Sequence, residues 1–131
     1  MSIQDQSLFR KPLSSGVLSE TVLVHGSDEA LLSTRTMVLE NAGFRVLSSV
    51  DQAEAEAVIE RGDIALVVLC HSLSSEDCDA VVKVANEQNP PLKTLVLTAG
   101  ESKCAEHSPA ASISAFDGPR KLVETVQFLL C

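Results

Sequence analysis

Tryptophan and tyrosine are absent from this chain, and four phenylalanines supply its whole aromatic content. Its apolar residues, 45% of the total, are therefore mostly Leu, Val and Ala, a palette that suits helices laid on a Val/Leu-rich sheet. Positive charge is also scarce: ten Lys and Arg stand against eighteen Asp and Glu, for a net charge of −8, and the basic residues are scattered. Phosphate backbones need clustered cations, so nucleic-acid binding is not expected. Long hydrophobic runs are missing as well. The stretch Ile64 to Cys70 falls far below the ~20 residues of a spanning helix, which argues against membrane insertion. The first twenty residues hold Asp5, Arg10, Lys11 and Glu20 without an apolar block, so they do not read as a signal peptide. A cytoplasmic location is the expectation. The four cysteines then read as thiols or metal ligands rather than a disulfide framework. At 131 residues the chain can build one domain with a proper core and not two.

What is present is an alternation. Residues 1–19 are rich in Ser and Gln, are broken by Pro12 and Gly16, and read as a flexible N-terminal tail. Residues 20–131 read as the domain. Thr21 to His25 is a β-branched run, followed by a helix from Asp28 to Asn41 in which Leu31 and Val38, and Leu32 and Leu39, share faces. Ser27 or Asp28 can cap that helix. Arg45 to Val50 predicts a second strand and Asp51 to Arg61 a second helix. Ile64 to Leu69 is continuously apolar, the mark of a central parallel strand buried on both sides. Ser74 or Ser75 opens a third helix running to about Asn86, with Cys78, Val81, Val82 and Ala85 as its apolar stripe. Leu92 to Thr98 predicts the fourth strand and Ile113 to Phe116 a short fifth. Glu101 to Ala110 is a weak helix interrupted by Pro109. Pro119 starts the last helix, striped by Leu122, Val126, Leu129 and Leu130. The order is βα repeated five times, and right-handed crossovers place helices on both faces of a parallel sheet. In such sheets, ligands bind beyond the carboxyl ends of the strands.

Several of these segments, in this order, resemble the receiver domains of two-component response regulators. They are Thr21-Val-Leu-Val-His-Gly-Ser-Asp-Glu29, Asn41-Ala-Gly-Phe-Arg-Val46, Asp63-Ile-Ala-Leu-Val-Val-Leu69, Leu95-Val-Leu-Thr-Ala99 and Gly118-Pro119. The resemblance runs from roughly Thr21 to Cys131. It implies a flavodoxin-like (βα)5 fold, a doubly wound α/β/α sandwich with strand order 2-1-3-4-5. Receivers transfer a phosphoryl group to their own aspartate, using acids that hold Mg²⁺ and a lysine that balances charge. Carried over position by position, the acid pair falls on Gly26 and Ser27, with Asp28 one place too late. The nucleophile falls on Cys70 and the lysine on Gly118. The aromatic switch falls on Ala115, with Phe116 beside it. Only Thr98 is kept. A cysteine cannot form the acyl phosphate, and Gly26 has no side chain to offer a cation. The chain thus looks like a degenerate receiver, or pseudo-receiver. The resemblance implies a non-catalytic signalling module without a cofactor, working through contact with another signalling protein, with homodimerisation left open.

The rival reading rests on thiols and imidazoles. His25, Cys70, Cys104 and His107 all fall near the carboxyl edge of the sheet, and such ligands suit zinc or thiol redox chemistry. Against it, their spacing is not a zinc pattern, and Cys70 and His25 can instead fill space beside the missing acids, with His71 and His107 as solvated loop residues. A hydrolase would need a nucleophile, a base and an oxyanion hole, and Ser27, Ser72 or Cys70 with His25 or His71 are the conceivable nucleophiles and bases. There is no Gly-x-Ser-x-Gly elbow. Cys70 and His71, as strand neighbours, are expected to point to opposite faces. Cys78 belongs to a core stripe, and Cys131 is expected to be exposed.

Overall fold

The structure is a computed structural model that describes residues 20–100 and 108–131. The β-branched and leucine-rich runs form five strands: β1 (Thr21–His25), β2 (Arg45–Ser49), β3 (Leu66–Leu69), β4 (Lys93–Thr98) and β5 (Ala111–Ser114). Every pairing is parallel, and the order is β2-β1-β3-β4-β5, as expected. Four helices are described: α1 (Glu29–Asn41), α2 (Gln52–Arg61), α3 (Ser75–Asn86) and α4 (Pro119–Leu130). Each of the first three begins where a short polar side chain can take an otherwise unpaired amide. Asp28 accepts from Ala30 and Leu31, Asp51 from Ala53, and Ser74 from Asp77.

Because side chains alternate along a strand, the central strands feed two cores. Val22, Val24, Leu66, Val68, Leu95 and Leu97 point to one face, where Leu32 and Leu39 of α1 and Leu122, Val126 and Leu129 of α4 cover them. Leu23, Val67, Leu69 and Val96 point to the other, under Ala55, Val58 and Ile59 of α2 and Cys78, Val81 and Val82 of α3. β3 is buried at all four positions, as its unbroken apolar run requires. Each fully buried Leu or Val contributes roughly 1.5–3 kcal/mol, so the sheet centre carries most of the fold's stability. Among the described residues no helix is long and apolar enough to cross a membrane.

Some expected boundaries move. β5 lies two residues earlier than the predicted Ile113 to Phe116. It pairs Ala111 through Ser114 with Leu95 through Thr98, and Phe116 falls in the following turn with its ring 75% exposed. As an edge strand half-covered on both faces, β5 lacks the alternation that would have fixed its register. β2 stops at Ser49, one residue before the expected Val50, and β4 starts one later, at Lys93. The expected N-terminal tail lies outside the described residues, as does most of the weak helix predicted from Glu101.

Candidate functional site

β1 and β3 end side by side, and the loops that leave them meet. The amide of Cys70 donates to the carbonyl of His25 (2.9 Å), continuing the β1–β3 ladder one step past β3. This places Gly26 directly against Cys70. A β-carbon built on Gly26 would stand 2.8 Å from Cβ of Cys70, 3.1 Å from its Sγ and 3.1 Å from Oγ of Ser72. Heavy atoms do not approach so closely without something shifting, so the volume an acidic side chain at position 26 would need is already filled.

Ser27 and Ser72 then join the two loops. The Ser27 amide donates to the Ser72 hydroxyl (3.0 Å), the Asp28 amide donates to the same oxygen (3.3 Å), and the Ser27 hydroxyl donates to the Ser72 carbonyl (2.8 Å). Asp28, the acid nearest this junction in sequence, turns its carboxylate back onto α1, accepting from Ala30 (3.0 Å) and Leu31 (3.2 Å). The result, among the described residues, is a closed junction made of backbone, hydroxyls and a thiol.

Cys70 is fully buried in the α1/α4 core. Burial pushes its thiol up from the usual range. Arg35, whose charge acts on it, pulls the other way, and Asp28 adds slightly to the rise. A thiol held protonated is a poor nucleophile and a poor metal ligand. Thr98 ends β4 half-buried, its hydroxyl directed to the carbonyl of Ile113 (3.4 Å) while its own carbonyl accepts the Ala115 amide (2.7 Å). Ala115 offers no ring, and the exposed Phe116 beside it lies against His71, ring centres 5.7 Å apart. Gly118 adopts φ +91°, ψ 168°, where a side-chain-bearing residue such as lysine would be strained.

The rival ligand set is not brought together by its described half. His25 shares the α2/α3 side of the sheet with Leu23, whereas Cys70 lies in the α1/α4 core. The His25 ring is buried, with Nδ1 donating to the carbonyl of Ser49 (2.8 Å) and Nε2 3.0 Å from Oε1 of Gln52. Both nitrogens therefore have protein partners. Cys104 and His107 lie outside the described residues. Among the described residues no cluster of three or more His, Cys, Asp or Glu is placed to hold a metal. Cys78 is core and Cys131 exposed, as expected.

One expectation about a neighbour of Cys70 needs correction. His71 is not a solvated loop residue. It is half-buried and accepts from Nη2 of Arg35 (3.4 Å) as well as meeting Phe116. Cys70 continues the ladder one step past β3 on the core face of Val68, and His71 opens the turn that follows. Arg35 is the functional-looking residue that sequence reasoning passes over. It has a signal: it stands three after Leu32 and four before Leu39, on the buried stripe of α1. Ser72 enters the sequence reading only as a conceivable hydrolase nucleophile, and its link to Ser27 has no sequence signal.

Comparison with solved structures identifies the fold that carries this arrangement. A response regulator from Thermotoga maritima matches with TM-score 0.72 at 22% identity, over 86% of this chain and 98% of its own. A chemotaxis response regulator of Vibrio cholerae gives TM-score 0.75 at 18% identity, over 86% and 100%. A response regulator receiver protein from Sinorhizobium medicae gives 0.73 at 23%, over 86% and 94%. The fold is the receiver fold. No family model and no curated protein sequence matches the chain. Within the receiver fold, Gly26, Ser27, Cys70, Thr98 and Gly118 are the positions that the sequence resemblance assigns to phosphorylation, and the first three form the closed junction described above.

Proposed function

We propose that this chain is a receiver-like signalling module that takes up no phosphoryl group and acts through contact with another protein. The observation that carries this reading is the contact of Gly26 with Cys70 and Ser72, where a β-carbon would sit at 2.8–3.1 Å. Phosphoryl transfer in a receiver requires Mg²⁺ held by carboxylates and an aspartate to attack. Here a β-carbon at 26 would press on Cys70 and Ser72, and a buried thiol stands at the nucleophile's position. The strain a lysine would meet at Gly118 supports the same conclusion. In this reading the module has no enzymatic turnover and works in the cytoplasm, as a platform rather than a phosphate acceptor. That role is analogy from the fold, since a fold alone does not fix function.

The test is direct. Incubation with acetyl phosphate and Mg²⁺ is expected to leave the protein free of acid-labile phosphate. Beryllofluoride with Mg²⁺ is expected to leave the amide resonances of Gly26, Ser27 and Cys70 unmoved. Stoichiometric phosphate on any aspartate overturns the proposal.

A further inference from the structure

Between α1 and the edge formed by β4, β5 and the start of α4 lies a cavity of about 180 Å³. Its walls include Leu31 and Val38 of α1, Leu97 of β4, Ile113 of β5 and Leu122 of α4. One cation enters this apolar wall, Arg35, whose residue is only 9% exposed. Its Nη2 is engaged with His71, and its charge also acts on the Cys70 thiol. Its Nη1 is buried and, among the described residues, has no hydrogen-bond partner. A guanidinium stays charged under all ordinary conditions, so a buried N–H left unmatched is a standing cost that an acceptor would relieve. The same rim carries the first residues of α4, a helix whose first turn has neither a side-chain cap nor an acidic residue. Its positive end adds to the field of Arg35.

We propose that this cavity binds a small carboxylate with an apolar body, about the size of benzoate. An apolar cavity of roughly 150 Å³ accommodates benzene, and the volume here leaves room for one polar group more. A carboxylate suits the remaining donor better than a phosphate. Phosphate recognition draws on the full guanidinium fork, and one arm of this fork already serves His71. Because Arg35 also acts on Cys70 and engages His71, the ligand would engage the guanidinium that orders the receiver-like junction. The cavity would then be a chemical input to a module that lacks phosphorylation. The inference does not depend on that lack. Carboxylate binding and phosphate labelling are read in separate assays.

The experiment is a ¹H–¹⁵N NMR titration of the full chain with benzoate, and in parallel with benzamide, its uncharged isostere. Benzoate is expected to give saturable shifts at the amides of Leu31, Val38 and Ile113. Benzamide is expected to bind at least ~10-fold more weakly, the scale of a hydrogen bond to a charged group. Arg35→Met should bring the two probes to equal affinity. Should that variant fail to fold, Val38→Phe fills the cavity without touching the charge, and should abolish the benzoate shifts. Equal binding of benzoate and benzamide to the unaltered protein, shifts that do not saturate, or shifts that persist in Val38→Phe would each overturn the proposal.

Discussion

Ser27 and Ser72 hold one another by two hydrogen bonds, amide to hydroxyl at 3.0 Å and hydroxyl to carbonyl at 2.8 Å. They lie forty-five residues apart in sequence, yet they lock the loop after β1 to the loop after β3. Ser72→Ala removes the acceptor that serves the amides of both Ser27 and Asp28. The junction is partly exposed, so water replaces some of what is lost. The expected cost is about 1 kcal/mol, seen as a fall of a few degrees in Tm by calorimetry. An unchanged Tm would show that the two loops are positioned by the strands alone.

Cys70→Asp is expected to restore no phosphorylation. The new carboxylate would still be accompanied by glycine at 26, with no acid for a metal, and by glycine at 118, with no lysine. It would also enter a fully buried site, although Arg35 would offset part of the penalty. A destabilisation of roughly 2 kcal/mol is expected in urea unfolding. Acid-labile phosphate on this single variant would mean that the acidic cluster has been misplaced.

Stability should decline on the alkaline side. Burial, opposed by Arg35, holds the Cys70 thiol above its ordinary value of 9.0. Above that pH the unfolded chain gives up the thiol proton while the folded protein keeps it. The unfolded state then binds fewer protons, and stability falls as pH rises from 9.0 toward the folded value, by at most about 1.4 kcal/mol per pH unit. Below 9.0 this thiol makes no pH-dependent contribution. Unfolding free energies of the native protein and of Cys70→Ala, compared between neutral and alkaline pH, should converge as pH rises.

His25→Ala is expected to be costly for structural reasons. It removes one of the two donors to the carbonyl of the buried Ser49, leaving only the Gly26 amide (3.2 Å), and opens a space between β1 and α2. A loss of roughly 2–3 kcal/mol is expected. A loss under half a kilocalorie by urea titration would remove His25 from the list of residues that hold the fold.

Zinc is expected to be absent from the purified protein at stoichiometric level, with Tm unaffected by chelator. A metal bound only to the folded state would raise Tm. One zinc per chain, lost in Cys70→Ser, would instead revive the reading built on Cys70, Cys104, His25 and His107.

The strands at the middle of the sheet were the easiest part of the fold to read. Leu66 through Leu69 can only be accommodated where both faces are covered, and that fixed β3 at the centre and the helices on either side. The edge was harder. Ala111 through Ser114 is polar enough to lie outside a sheet, and its place is set by pairing with β4 rather than by its own pattern. Of the junction, the positions Gly26, Ser27 and Cys70 were legible from their offsets after β1 and β3. That Ser72 would reach back across forty-five residues to Ser27 depends on the three-dimensional approach of two loops, which no local pattern encodes. Arg35 was hidden differently. An arginine on a helix is ordinarily solvated, and only the burial of the turns above and below it, at Leu32 and Leu39, draws it inward.

The contact between Gly26 and Cys70 also bears on how this protein can change. A carboxylate at 26 needs Cys70 and Ser72 to give way first, yet shrinking either one alone opens the junction and leaves no metal behind. An aspartate at 70 has no cation to work with until 26 is altered. On the reading proposed above, each single step toward a metal site is expected to lower stability and return no activity. The junction would then behave as a ratchet: an engineer wanting to install phosphoryl transfer here would need several substitutions together, because every one-residue path would run uphill.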